Sequence, residues 1–486
     1  MGHWWAQLDR STRERVSTLG AFVAVVAVSL LLGVVLPSCQ SLGLGGMSGA
    51  TRAAGAERRA ERFVPRMAVE GIGGEPDIRV RVLTAHEGVV NLAAPGSAGA
   101  GSGGGGLISV RGPAGTPEVS GSSVDVSLEE KGWLVTPAGG PAASFPRGAE
   151  LIVRSGGAGK EPTAADGSVG RLRVSTAANP KGTEYPGELR LSARSDVSMR
   201  ALDAIEFIGL ERYLEGVVSG ELFRNWPLET FQVQAICART YAIQEKLRKS
   251  GARYDVESTT RDQVYTGVSE LAVAAEAVRS TRGIVITHAG RVIRAYYSST
   301  CGGRAASAMD TFPTGPGYEY NLTPPIQARA REHSCESSRL YRWTRTRDRK
   351  ELEKRLAAWG KDNGHPVKAL GALESVRAAQ FNALSRPTRF VVSDAAGKTY
   401  TLSAEDFRVA CNTSAPGLPA ITGETRVASG DVEVVSQGNV FTISGRGFGH
   451  GVGMCQYCAK GFADKGEAWW TMVERFYPGA MVVRAY

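Results

Sequence analysis

Two hydrophobic periods organise this chain, and one gives way to the other near residue 200. From Pro76 the apolar positions fall in short β-type runs, Ile78–Leu83, Leu107–Arg111, Val124–Leu128, Gly132–Thr136, Leu151–Arg154 and Leu172–Ser175. Gly-, Pro- and Ser-rich turns separate them, which predicts a β-rich module. Past Arg200 the spacing becomes helical. Leu210–Leu222 is apolar at helical intervals. Pro227 opens a second helix, with Asn225 or Trp226 near its cap, running to about Lys249 and closed by Gly251. A third helix is expected over Ser269–Arg282, then strands Gly283–Thr287 and Val292–Tyr297 around a turn at Ala289 and Gly290. Farther on come a helix at Arg349–Trp359 and strands near Leu373–Ala378 and Phe390–Ser393. Ser403 with Asp406 reads as a variant capping box, and strands Val432–Val435 and Phe441–Ser444 lead into a glycine-rich finish. Helices and strands intermix without a βαβ rhythm. The expected class is α+β, with mixed helices and antiparallel strands.

The N-terminus reads differently. Arg10, Arg13 and Arg15 precede an apolar run from Leu19 to Leu36 that ends in Pro37, Ser38 and Cys39. This is the layout of a secretory leader, nearly long enough to stay in the bilayer as an anchor helix. Cys39 behind small residues resembles a bacterial lipoprotein cleavage box. The body is therefore expected outside the cytoplasm, periplasmic or tethered to the membrane through its N-terminus. Four segments follow: a leader or anchor over 1–39, a flexible linker over 40–75, the β-rich module over 76–188, and the mixed region over 189–486. The tract Ser97–Gly106 is glycine-rich but lacks the Lys-Ser/Thr of a phosphate loop, so it reads as a long hairpin loop.

Composition narrows the partners. The 486 residues carry a formal charge of +9, spread along the chain rather than gathered into a stripe. That argues against nucleic acid and fits a neighbour of anionic lipid or wall polymer. Of the seven cysteines, Cys39 is set apart by the leader, leaving Cys237, Cys301, Cys335, Cys411, Cys455 and Cys458. An even set in an oxidising compartment suggests disulfides, whose pairing the spacing leaves open.

Glu221 is the leading candidate for chemistry. It falls in the last turn of the predicted helix Leu210–Leu222, where the helix dipole opposes a negative charge. Leu222, Phe223 and Trp226 stand ready to shield it from water. Both effects raise a carboxyl pKa, as a general acid at neutral pH requires. Glu229, in the first turn of the next helix, is by contrast placed where a carboxylate is stabilised.

Five motifs then occur in order: YLEGVVSGEL, WPLETFQVQAICARTYAI, TTRDQVYTG at Thr259–Gly267, AYYSSTCGGR at Ala295–Arg304 and GRGFGHGVGMCQYCAKGF at Gly445–Phe462. Together they resemble the stage II sporulation protein D family, which includes the amidase enhancers, over roughly Leu189 to Tyr486. The resemblance implies a peptidoglycan lytic transglycosylase acting on glycan strands stripped of stem peptides, with the family's catalytic glutamate at Glu221. An ordinary glycosidase needs two carboxylates, one of them to activate water or attack the sugar. A lytic transglycosylase needs one, because the muramic acid C6 hydroxyl is the nucleophile. No cofactor is required. A second function class stays open, a wall-binding protein that stimulates a partner amidase. Sporulation itself is not implied.

The remaining motif residues are expected to wall a groove. Arg239 and Tyr241 on the second helix, Gln263 and Tyr265, the hydroxyls of Ser298, Ser299 and Thr300, and His450 and Gln456 are the candidate substrate contacts. Arg239 reads equally as a clasp between helices, and His450 equally as a structural hydrogen-bonded histidine. The alternating glycines of Gly445–Gly453 read as close backbone packing rather than a nucleotide loop. Some clostridial relatives bind zinc, which makes Cys301, His333 and Cys335 a possible ligand set. Tyr296 and Tyr297 stand where those relatives carry histidines, so a Cys301–Cys335 disulfide is the favoured reading, with Cys455 and Cys458 a second structural pair.

Overall fold

The computed structural model describes residues 63–94, 106–155 and 170–486. The expected leader, Cys39 and most of the linker and of the glycine tract lie outside them. Among the described residues no helix is long and apolar enough to cross a membrane.

The fold is α+β, with mostly antiparallel sheets. Its N-terminal part packs a seven-stranded sheet against a six-stranded one around an apolar interior that includes Val80, Val126, Trp133, Leu151 and Leu191. The seven-stranded sheet runs across the expected boundary at residue 189. Glu188–Ala193 pairs with Leu202–Gly209, which pairs in turn with Asp77–Ala85. The short strand Val256–Glu257 joins the edge, parallel to Asp77–Ala85. The end of the expected linker is also tied down, since Met67 N–H donates to the Arg484 carbonyl at 3.1 Å.

Eight α-helices lie in the described residues: α1 (Leu210–Glu221), α2 (Leu228–Arg248), α3 (Ala272–Ser280), α4 (Ala308–Thr311), α5 (Arg349–Asp362), α6 (Ala404–Ala410), α7 (Gln456–Asp464) and α8 (Trp469–Phe476). Helix α1 continues directly from strand Leu202–Gly209 and buries Tyr213, Leu214, Val217 and Val218. Those positions form one stripe along the helix. Extended backbone at Leu222 stops it, and Pro227, with its fixed φ of −61°, starts α2 at Leu228. Pro227 is itself the cap position, rather than Asn225 or Trp226. Helix α2 is buried on nearly every side from Thr230 to Glu245 and packs against α1, α3, α7, α8 and strand Ile284–His288. It is the axle of the domain, and each of Phe231, Ile236 and Ile243 contributes about 1.5–3 kcal/mol by burial.

A second, smaller core joins α5 and α6 to the sheets Arg342–Asp348/Val440–Arg446/Val432–Gln437 and Leu373–Phe381/Pro387–Asp394/Thr399–Ser403. The predicted Ser403 cap is present, its Oγ accepting from Asp406 N–H at 3.0 Å. This unit is inserted between two segments that the fold then rejoins. Tyr297 and Ser298 pair in parallel with Met454 and Cys455, and Thr300 bridges Phe448. The glycines of 445–453 allow that seam. Gly453 has φ +70°, and a Cβ there would lie 2.0 Å from the Tyr296 carbonyl.

Candidate active site and thiol cluster

Glu221 occupies the last turn of α1, and three segments distant in sequence converge on it. Val264 N–H donates to Oε1 at 3.1 Å, the Tyr297 hydroxyl donates to Oε1 at 3.4 Å, and Gln456 Nε2 donates to Oε2 at 3.2 Å. The residue is buried, at 8 % exposure. Burial pushes the Glu221 carboxyl above its ordinary range, and the donors from Val264, Gln456 and Tyr297 offset part of that rise. Every group hydrogen-bonded to it is neutral. The Tyr297 phenol is itself pushed far up by burial and remains a donor.

The partners are held in turn. Gln263 donates to the Tyr297 oxygen at 3.1 Å and to the Ala238 carbonyl at 3.2 Å, and accepts from Tyr213 at 3.2 Å. Gln456 opens α7 and also donates to Gln234 Oε1 of α2 at 3.2 Å. Tyr265 packs on Tyr213 with ring centres 4.8 Å apart, and lies so close to α1 that a Cβ on Gly216 would strike it. At the rim, Phe223 is 41 % exposed and lies 5.3 Å from the Trp226 ring, which meets Tyr457 edge-on at 5.0 Å. Such aromatic faces suit the apolar faces of sugar rings.

Among the residues expected to wall the groove, Gln456 is the one that touches Glu221, and Gln263 acts through Tyr297. Arg239 takes the clasp role. It is fully buried, with Nε and Nη2 on the two carboxylate oxygens of Glu211 at 2.8 and 2.7 Å, at the far end of α1 from Glu221. Tyr241 donates to Asp262 at 3.1 Å and accepts from Arg294 at 2.8 Å. Ser298 Oγ accepts from Gly451 N–H at 3.2 Å, Ser299 and Thr300 hydroxyls lie 3.3 Å apart, and Thr300 donates to Ser338 at 2.9 Å. These serve the backbone seam rather than Glu221. His450 is also elsewhere. Its Nδ1 accepts from Val452 N–H at 3.0 Å, its ring packs on Tyr296 and Phe312, and it lines a small cavity with Arg386 and Glu405. Burial holds its pKa down to about 4. Tyr297, Gln234 and the Val264 amide were not singled out by the sequence reading as site groups. Tyr297 and Gln234 lie inside the ordered motifs, which was their only signal.

The cysteines assemble in a way the spacing did not disclose. The Sγ atoms of Cys301, Cys335, Cys455 and Cys458 all lie within 4.8 Å of one another, and all four residues are buried. Cys301 Sγ stands 3.8 Å from Cys335 Sγ and 3.7 Å from Cys458 Sγ. A disulfide would need about 2.05 Å, so the expected Cys301–Cys335 and Cys455–Cys458 bonds are replaced by a four-thiol cluster. His333 is no part of it, for its Nδ1 faces Glu336 at 2.8 Å. Within the cluster the Cys301 thiol is held well below its usual range, chiefly by hydrogen bonds from the other thiols, whereas burial pushes Cys455 well up.

Comparison with known proteins agrees with this architecture. Residues 198–288, which hold α1, α2 and Val264, match the family model described as stage II sporulation protein. Residues 319–453, most of them in the inserted unit, match a domain of unknown function. The chain is 27% identical over 304 residues to an uncharacterized protein of Brachyspira hyodysenteriae, covering 62% of this chain and 73% of that one. It is 28% identical over 298 residues to the amidase enhancer of Bacillus subtilis, covering 55% of this chain but only 39% of that longer protein. With the stage II sporulation protein D of Bacillus subtilis it shares 26% identity over 332 residues, 65% of this chain and 85% of the relative. The ordered motifs, the matched domain and these relatives make the chain similar to the stage II sporulation protein D and amidase-enhancer family.

Proposed function

We propose that the protein is an exported lytic transglycosylase that cleaves peptidoglycan glycan strands freed of stem peptides, with Glu221 as its single acid and base. The observation that carries this reading is a buried carboxyl whose partners are all neutral donors, Val264 N–H, Tyr297 and Gln456. Burial raises its pKa, the direction that a general acid needs. The protonated acid gives its proton to the glycosidic oxygen as the bond from that oxygen to the muramic C1 breaks. The muramic C6 hydroxyl then bonds to C1 and returns its proton to Glu221, leaving a 1,6-anhydro end. No hydrolytic water and no second carboxylate are needed. Gln456 and Val264 fix one oxygen each, so the proton-bearing atom keeps its aim through both transfers. Exposed Phe223 and half-buried Tyr457, backed by buried Trp226, supply the surface on which sugar rings rest. Export would bring the body to this substrate, held at the membrane by the N-terminal segment.

The test is direct. Amidase-treated glycan strands incubated with the purified chain should yield anhydro-ended fragments by mass spectrometry, and Glu221→Gln should abolish them. A Glu221→Gln protein that cleaves at the parent rate would end the proposal. The likeness to an amidase enhancer favours a second reading, a wall-binding protein that stimulates a partner amidase. Binding of glycan without cleavage, together with faster amidase turnover in its presence, would select that reading.

A further inference from the structure

We propose that Cys301, Cys335, Cys455 and Cys458 bind one zinc ion as four thiolates, and that this knot sets the position of Gln456 on Glu221. Geometry carries the first half. Tetrahedral zinc–sulfur bonds of about 2.3 Å place neighbouring sulfurs about 3.8 Å apart. The measured separations from Cys301 are 3.8 Å to Cys335 and 3.7 Å to Cys458. Cys301 is thus equally near two partners, which suits a shared ion and not a chosen pair. Cys455 and Cys458 form a C-x-x-C at the start of α7, with Cys455 as its cap residue, a spacing common to structural zinc sites.

The surroundings suit thiolates. Cys301 N–H donates to Cys455 Sγ at 3.2 Å, Cys458 N–H to the same sulfur at 3.4 Å, and Ser334 N–H to Cys458 Sγ at 3.4 Å. Such N–H to sulfur bonds orient metal ligands and spread their charge. Arg331 lines the same pocket as Cys301 and is fixed by its bond to the Gly453 carbonyl at 2.8 Å. Four sulfur donors in one buried set select zinc over hard cations. Each thiol releases its proton as the ion binds.

The second half follows from connectivity. The ligands come from three separate segments, one following strand Tyr297–Ser298, one at Cys335 and one opening α7. The inserted unit of residues 342–446 lies between the second and third. An ion that ties them closes the seam from both sides of that insertion. Gln456 is the residue between the cap cysteine and Tyr457, so the knot sets where its amide points, toward Glu221 and Gln234. The site is thereby linked to the catalytic carboxyl without touching substrate.

The experiment uses the full chain purified without reductant or chelator. Elemental analysis and native mass spectrometry should find about one zinc per chain, and thiol reagents should reach Cys301, Cys335, Cys455 and Cys458 only after denaturation with chelator. Replacing zinc by cobalt should give the visible d–d bands and thiolate charge-transfer absorption of a tetrahedral sulfur site. Cys335→Ser should lose the metal, while Cys411→Ser, in the second core, should keep it. Hydrogen exchange at residues 454–458 should rise when the metal is removed, with the strands of residues 77–209 unchanged. Metal-free protein with these cysteines in disulfides would overturn the proposal, as would iron in place of zinc. Unchanged exchange at 454–458 after metal removal would overturn the link to Gln456. None of these readouts depends on glycan cleavage.

Discussion

The side-chain amide of Gln456 donates to Glu221 Oε2 at 3.2 Å, joining the first residue of α7 to the last turn of α1 across 235 positions of sequence. Its other hydrogen bond, to Gln234 at 3.2 Å, makes the amide a fixed strut rather than a free rotor. A donor held in this way to a charged or charge-developing oxygen is worth about 1.5–3 kcal/mol. Gln456→Ala is therefore expected to lower the glycan cleavage rate about ten- to a hundredfold with little change in KM. Gln456→Glu places a second acid on Glu221 and should move the alkaline limb of the pH profile upward, because a like charge disfavours ionisation. A pH–rate series on the two variants and the parent checks both statements.

Glu221→Gln should trade activity for stability. The folded carboxyl titrates above its unfolded value because of burial, so ionisation costs the fold stability as pH rises past the unfolded pKa of about 4.3. Glutamine keeps the shape and removes that cost. Thermal melts should show Glu221→Gln above the parent at pH 8 and level with it near pH 4, while cleavage falls about a hundred- to ten-thousandfold. A parent protein as stable as the variant at pH 8 would mean that the carboxylate is well solvated in the fold.

Arg239 and Glu211 should behave as a structural pair. Removing one partner of this largely buried ion pair strands the other charge, at about 3–5 kcal/mol. Arg239→Ala should destabilise by that amount in denaturant titrations. The double variant Glu211→Ala with Arg239→Ala should lose less than the sum of the single changes. Phe223→Ala, at the exposed rim, should do the converse, leaving stability within about 0.5 kcal/mol and raising KM for glycan.

What could be read in advance divides along a physical line. Helices α1 and α2 were legible because their signals are local, an apolar stripe, a proline start and a glycine stop. The awkward helix-end position of Glu221 followed from the same local facts. Strand Asn179–Tyr185 was not legible, for NPKGTEY carries no apolar alternation and is held as the edge of its sheet by partner strand Leu172–Thr176. The partners of Glu221 lie 43, 76 and 235 residues away, and the seam that pairs Tyr297–Ser298 with Met454–Cys455 brings the last two together. The thiol cluster hides for the same reason. A C-x-x-C is visible in one segment, but its other two members are recruited by the fold.

His450 offers a pH test that separates a structural from a catalytic histidine. Its neutral ring accepts from Val452 N–H at 3.0 Å and packs edge-on against Tyr296 and Phe312. Burial is the main reason that its pKa lies at about 4 in the fold, against about 6.5 in an unfolded chain. A depressed histidine pKa means that the unfolded state binds the proton first as pH falls. The stability it contributes is thus complete above about pH 6.5 and is lost on acidification toward pH 4, to an extent of about 3 kcal/mol. His450→Asn should lower stability at pH 7 and flatten its decline between those pH values. The cleavage rate per folded molecule should keep the parent's pH profile, because the ring faces Arg386 and Glu405 rather than Glu221. A variant that instead removes a limb of that profile near pH 6 would place His450 in the proton transfers, and Glu221 would no longer suffice as the single acid and base.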